Sequence, residues 1–477
     1  MFAEIWPYQR RSLLALLIFI TCGIAAIIFQ QICLLAIPFI WILMPLVITN
    51  TEKLFWLLLI VLPLSTELNI TPQLGLDFPD EPLMILLTGF FLVRIVHQRN
   101  LLSIQFKQHS LLWWLIIYAG WILISCLYSV EPVLSLKFLL AKIWYIIPFV
   151  VLPNVIVASK KEWRTIALCL LLPMLVLVVQ VLLRQSIHRF SFENIKLAMA
   201  PFFRNHVNYS SMLVCLLAVG WCAWKLTPKE KPVRKWIFTG LMFGLAGLLF
   251  SYSRGAWIAL LAGIAIIWVI RKKLMPVFVL LAITAVIAST VWLVTDKNYL
   301  RFAPDHDRTV FHTDFGEHLR ATVAMKDVST AERFYRWVAG VRMLADRPMT
   351  GFGPNSFYPH YRSYTVGRFE TWVSNNKEHS TVHNYFLLVS LEQGLPGLLL
   401  FCILYFGMLL RIQRIYHSLS DPFYKTIALT IGAILIMIGV INSLSDMIET
   451  DKIGSLFWLC LGMIIWLDTR RKEQISL

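Results

Sequence analysis

The sequence predicts an all-α polytopic integral membrane protein with about 14 (12–14) transmembrane helices and one large periplasmic loop domain. Three observations carry that prediction. Hydrophobic residues fill 58% of the 477 positions and charged residues only 15%, with a mean hydropathy of +0.69, whereas water-soluble domains run nearer half apolar and a quarter charged. Runs of roughly 18 or more apolar residues recur, each long enough to cross a hydrocarbon core as a helix. The period-two alternation of an outer-membrane barrel is absent, and unpaired strands would leave backbone groups unsatisfied in lipid, so helices are the expected regular structure.

In order, the expected spans are 12–29, 31–49, 52–64, 82–97, 110–128, 136–157, 163–183, 207–225, 236–250, 255–270, 274–294, 382–410, 426–444 and 453–468. The third is short, which sets twelve as the lower count. The first follows Arg10 and Arg11, has no small-residue cleavage site behind it, and reads as a retained span. The formal charge of +16 sits at helix ends, which excludes a nucleic-acid reading. Connections such as "SKKEWR", "KLTPKEKPVRK", "RKK" and "RIQRIYHSLSDPFYK" alternate with poorly charged ones, so that one side holds 23 Lys and Arg in its short segments and the other seven. The positive-inside rule then predicts both termini in the cytoplasm. All eight cysteines fall within or beside the spans, so no disulfide framework is expected.

The chain divides into N-terminal helices (1–200), a first part of a helical core (201–294), the outside loop domain (295–381) and the last part of the core (382–477). Among the outside segments, "STELNITPQLGLDFPDEP" is acidic and free of Lys and Arg. Within the large loop, "STAERFYRWVAGVRMLADRP" predicts an amphipathic helix, with Ser329 and Glu332 at capping-box spacing and Pro348 past its end. The following "MTGFGPNSFY" has turn chemistry.

Three spans entering from the outside begin at "FFRNHVNYS" with Arg204, "SYSRGAW" with Arg254, and "STVHNYF" with His383. A helix N-terminus carries about half a positive charge and unbonded N–H groups, so it attracts phosphate. Two arginines add rigid forks of donors that match phosphate oxygens, and Gly255 permits close approach. Tyr252, Asn205 and Asn384 stand beside them as supporting candidates. The positive helix end is expected to hold the His383 imidazole neutral, able to accept a proton near neutral pH. The bland readings are an interfacial anchor for each arginine and a helix cap for the histidine.

At these residues the sequence resembles a known family. "SYSRGAWIALLAG", "RPMTGFGPNSFY" and "HNYFLLVSLEQGLPGLL" are similar to the signature of the O-antigen ligase and polymerase superfamily of bacterial envelopes, over roughly residues 200 to 410. The resemblance implies a multi-pass enzyme of the bacterial inner membrane. Such enzymes move a glycan from an undecaprenyl-diphosphate carrier onto a lipid A core, a growing glycan or a protein, without metal or cofactor. It implies that Arg204 and Arg254 hold the diphosphate and that His383 activates the acceptor hydroxyl. The chain departs from the ligases in having two more spans and in the loop stretch "DHDRTVFHTDFGEH", where Asp305, His306, Asp307, His312, Asp314, Glu317 and His318 offer a rival metal reading. The rival from another class is a secondary transporter; Lys142 and Arg94 lie in or near spans, but no acidic partner is evident from the sequence.

Overall fold

The computed structural model describes residues 51–71, 74–98, 100–302, 328–366 and 381–475. The expected spans 12–29 and 31–49 and the Asp/His-rich stretch at 305–318 lie outside the described residues. What is described is a bundle of helices: α1 (Thr51–Val61), α2 (Asp80–His97), α3 (Ser110–Leu127), α4 (Pro132–Ile156), α5 (Lys160–Ile187), α6 (His206–Leu226), α7 (Val233–Leu249), α8 (Arg254–Arg271), α9 (Met275–Val294), α10 (Val328–Asp346), α11 (Tyr385–Ser418), α12 (Pro422–Asn442) and α13 (Asp451–Ile475). Among the described residues, nine of these are long and apolar enough to cross a membrane: α3 to α6, α8, α9 and α11 to α13. The remaining expected spans fall on shorter or more charged helices. The 11 residues of α1 extend only about 16 Å, α2 carries Asp80, Glu81, Arg94 and His97, and α7 has 17 residues.

One expectation needs correction. Regular structure is not helical throughout: within the acidic stretch, Thr66–Thr71 (β1) and Leu74–Phe78 (β2) pair as an antiparallel hairpin, with Thr66 opposite Phe78 and Leu68 opposite Leu76. Two strands that pair with each other satisfy their own backbone groups outside the hydrocarbon, so the argument that forbids strands in lipid does not reach them. A lone hairpin is marginal in water, and this one is braced through its flanks. Lys452 Nζ donates to the carbonyls of Pro63, Ser65 and Phe202 at 2.9, 2.9 and 2.6 Å, and Arg204 pairs with Glu67.

The helix ends gather into two sets. At one end, Val130 N–H donates to the Phe352 carbonyl at 3.0 Å, Tyr385 N–H to the Ser445 carbonyl at 3.0 Å, and Tyr252 Oη to the Phe190 carbonyl at 2.6 Å. At the other, Asp468 takes His109 Nε2 and Arg411 Nη1, each at 3.1 Å, Lys160 pairs with Asp421, and Gln413 Oε1 accepts from Met275 N–H at 2.8 Å. The basic connections read from the sequence belong to this second set. α12 and α13 are the most enclosed helices and α9 the least.

Packing is set by a few backbone features. Pro148 and Pro153 interrupt the α-helical ladder of α4, and Ile147–Val151 takes a wider π turn. α13 presses against that turn through Gly462, where an added Cβ would stand 2.5 Å from the Phe149 carbonyl oxygen. Within α11, Gly394 has φ +71° and breaks the helix just before Pro396. The loop after α10 fills the break. Leu395 N–H donates to the Pro348 carbonyl at 2.8 Å, Phe352 N–H to Leu391 at 3.0 Å, and Gly353 N–H to Glu392 at 2.8 Å. The Glu392 side chain in turn accepts the Phe357 N–H at 3.2 Å. α10 is thereby held against the start of α11, with Gly340 close to Val382 and Leu391.

Candidate functional site

The predicted amphipathic helix exists as α10, and its buried stripe runs Glu332, Tyr335, Arg336, Ala339, Met343. This spacing of three and four is the apolar periodicity of the sequence, except that Arg336 occupies it and is only 2% exposed. Its guanidinium is directed into the mouth of α11. Nη1 lies 2.7 Å from His383 Nε2 and donates to the Thr381 carbonyl at 3.3 Å, while Nη2 donates to Glu332 Oε2 at 3.2 Å. Arg336 Nε is buried and has no hydrogen-bond partner among the described residues.

An arginine has only donors, so His383 Nε2 must present its lone pair to Arg336, and the ring proton sits on Nδ1. The ring is therefore neutral. Burial, then the charges of Arg336 and Arg333, push its pKa down to about 3. The direction expected from a helix dipole is right, but the cause differs: His383 precedes the cap. Asn384 is the N-cap of α11, its side chain accepting Leu387 N–H at 3.1 Å. His383 stands before it at φ +54°, in the left-handed region.

The connection between α12 and α13 supplies the other wall. Arg333 Nε donates to the Leu444 carbonyl at 3.3 Å, and the Leu444 side chain stands 3.7 Å from where a Cβ on Gly255 would lie. The start of α8, with half-buried Arg254 at its first position, is thus adjacent to the segment that α10 and α11 also touch. Asp446 follows in the same segment. Burial raises its carboxyl to about 6, against the lowering effects of a hydrogen bond from Thr381 and the Arg336 charge. Arg333, Arg336, a neutral imidazole and the Asp446 carboxyl are thus gathered around one segment, with the start of α8 next to it.

The remaining sequence candidates have other partners. Exposed Arg204 pairs with Glu67 of the hairpin. Asn205 caps α6 by accepting Val207 and Asn208 N–H, both at 3.0 Å, and Tyr252, at φ +54°, braces the loop at Phe190. The acidic partner not evident for Lys142 is present in the fold: its Nζ lies 2.8 Å from Glu449 Oε2, an ion pair between residues 307 positions apart. Among the described residues no group of three His, Cys, Asp or Glu side chains gathers as metal ligands would. Sequence reasoning passed over Arg333, Arg336 and Asp446. The available signal was an arginine on the apolar stripe of "STAERFYRWVAGV", where solvation of the charge is lost.

A family model described as O-antigen ligase matches residues 239–402. Arg254, Arg333, Arg336 and His383 lie inside that stretch; Arg204 and Asp446 lie outside it. Comparison with curated proteins found no match.

Proposed function

Since residues 239–402 match a family model described as O-antigen ligase, we propose that the chain belongs to that superfamily and transfers a glycan from an undecaprenyl-diphosphate donor to an acceptor hydroxyl at the periplasmic face of the bacterial inner membrane. The observation that carries this reading is the 2.7 Å contact between Arg336 and a neutral His383. The acceptor oxygen attacks the anomeric carbon, and the bond from that carbon to phosphate breaks. The diphosphate leaves with the electron pair, and the acceptor proton passes to His383 Nε2. A single displacement of this kind inverts the anomeric centre. Arg254, Arg333 and Arg336 oppose the charge that develops on the leaving diphosphate, so positioned donors supply the stabilisation. Lipid surrounds the carrier, and no nucleotide or cofactor enters the scheme.

Arg336 also explains how a base with so low a resting pKa can act. A phosphate oxygen is a stronger acceptor than an imidazole nitrogen, so a bound diphosphate competes for the Arg336 N–H. Its departure frees the Nε2 lone pair and offsets one of the cations that suppress protonation. Donor binding thus turns the base on. A second reading of the proton acceptor is supported by Asp446, whose pKa of about 6 suits general-base work in the resting site.

The test measures donor binding and turnover on the same purified variants, with undecaprenyl-diphosphate glycan as donor and lipid A core, free glycan or a hydroxyl-bearing protein as acceptor. His383→Ala is expected to keep donor binding and lose roughly 10² to 10⁴ in rate. Normal turnover in that variant would remove His383 as the base; an acid limb near pH 6 that disappears only in Asp446→Asn would transfer the role to Asp446. Whichever acceptor is elongated distinguishes ligase, polymerase and protein transferase.

A further inference from the structure

The ion pair between Lys142 and Glu449 has no part in the proposed reaction, yet it stands against the segment around which the site is gathered. We propose that this pair is a positioning element for the transfer step, a role that rests on the glycosyl-transfer reading: held by Lys142, Glu449 fixes where the connection between α12 and α13 presents Asp446 to α10 and the start of α11. Neither residue of the pair needs to touch substrate to act in this way.

Lys142 lies midway along α4 and is buried. Its Nζ donates to both carboxylate oxygens of Glu449, at 2.9 and 2.8 Å, and stands 4.6 Å from the centroid of the Phe138 ring. Taking two charges out of water costs desolvation that apolar side chains of similar volume avoid, so an ion pair in such a place specifies position more than it adds stability. What it positions is short and closely built. Glu449 ends a 3₁₀ turn, Met447–Glu449, and its N–H donates to the Asp446 carbonyl at 3.0 Å. Just before Asp446, the Ser445 carbonyl accepts Tyr385 N–H at 3.0 Å and the Leu444 carbonyl accepts Arg333 Nε at 3.3 Å. The segment is thus tied to α10 and α11 ahead of Asp446 and to α4 behind it, with the carboxyl between the two anchors. Other groups converge on the rear anchor: the hydroxyls of Tyr385, two residues past His383, and of Tyr118 on α3 lie near Glu449, as does Glu392 of α11. Asp446 itself is faced by Thr381, by Arg336 and by Glu449, of which Glu449 brings like charge. Loss of the rear anchor therefore moves Asp446 and changes the charge beside it, and a displacement of about 1 Å can cost about 10²-fold in rate.

The experiment places the full chain in lipid nanodiscs and compares wild type with Lys142→Met, Glu449→Gln and the double variant. It measures thermal stability, binding and turnover of undecaprenyl-diphosphate glycan, and the titration of the Asp446 carboxyl, whose infrared band is assigned by difference from Asp446→Asn. Each single variant leaves one charge without its partner and is expected to lose stability as well as rate. The double variant removes both charges and separates position from stability. It is expected to unfold close to wild type and to bind donor within about threefold, while kcat falls by about tenfold to a hundredfold. Its Asp446 carboxyl is expected to titrate at lower pH than in wild type, because the like charge of Glu449 is gone. Wild-type turnover in a stable double variant, or an Asp446 titration that does not move, overturns the proposal. So does a double variant that unfolds far below wild type, since the pair would then hold the fold and not the site. Failure of the two readings is distinguishable. A shifted Asp446 in a chain that never transfers from the lipid-diphosphate donor removes the enzymatic reading and leaves the placement of Asp446 by the pair; transfer that the double variant does not slow does the reverse.

Discussion

At the scale of single residues, the proposed chemistry depends on an imidazole kept neutral by its surroundings. In the unfolded chain His383 would titrate at the ordinary value of about 6.5; in the fold its pKa lies at about 3. Between those values the unfolded state binds the extra proton. The stabilisation is therefore fully present above about pH 6.5 and is lost progressively as pH falls toward 3. Thermal unfolding of the nanodisc-embedded protein across that window should show wild type losing stability on acidification more steeply than His383→Gln. Arg336→Ala should raise the imidazole pKa, read by ¹⁵N NMR of labelled histidine; an unmoved value would mean that burial and Arg333 set it without Arg336. Arg254→Lys should impair transfer despite the retained charge, because an ammonium cannot grip two phosphate oxygens as a fork does. Wild-type activity in that variant would reduce Arg254 to an anchor. His383 and Arg254 were legible in the sequence because polar letters at the start of apolar runs stand out. Arg336 was not, since its partner is 47 positions away and only folding brings the two together.

At the scale of elements, boundaries were read closely wherever an apolar run is bounded by caps or charge. The spans expected at 110–128 and 207–225 are Ser110–Leu127 and His206–Leu226, and the soluble helix is Val328–Asp346. The hairpin was missed because its stability comes from Lys452 and Arg204, far along the chain, and its own residues mix acids with few β-branched positions. The turn chemistry of "MTGFGPNSFY" was visible, but its docking partner was not: the loop is shaped to the break at Gly394, where an added Cβ would lie 2.2 Å from the Met349 carbonyl oxygen. Gly394→Ala combines a strained φ with that clash and should destabilise by about 1–3 kcal/mol, freeing the 348–357 loop to proteases and lowering transfer. Gly120→Ala is the control. It lies inside α3 with nothing within 4 Å of the new Cβ, so a thermal shift like that of Gly394→Ala would refute the local explanation.

At the scale of the whole molecule, composition and charge already revealed a helical membrane protein with its basic connections gathered at one end, because hydropathy and the positive-inside bias are properties of the chain before it folds. The proposed site depends on side chains of α10, of the start of α11 and of the α12–α13 connection meeting at the other end, with the start of α8 beside them. In the proposed mechanism the arginines supply the charge stabilisation, so transfer should survive EDTA; loss of activity that added divalent ion restores would instead promote the Asp305 and Asp307 stretch to a metal site. One feature of the fold bears on how the molecule comes into being. The Phe202 carbonyl waits for the ammonium of Lys452 across 250 residues, and at synthesis rates of roughly 5–20 residues per second that is a delay of roughly 10 to 50 s. Through most of that interval the hairpin and the residues leading into α6 are made but lack the side chain that ties them together. A nascent chain arrested before Lys452 can therefore own most of its membrane helices and still lack the one ammonium that joins the residues before the hairpin to those before α6.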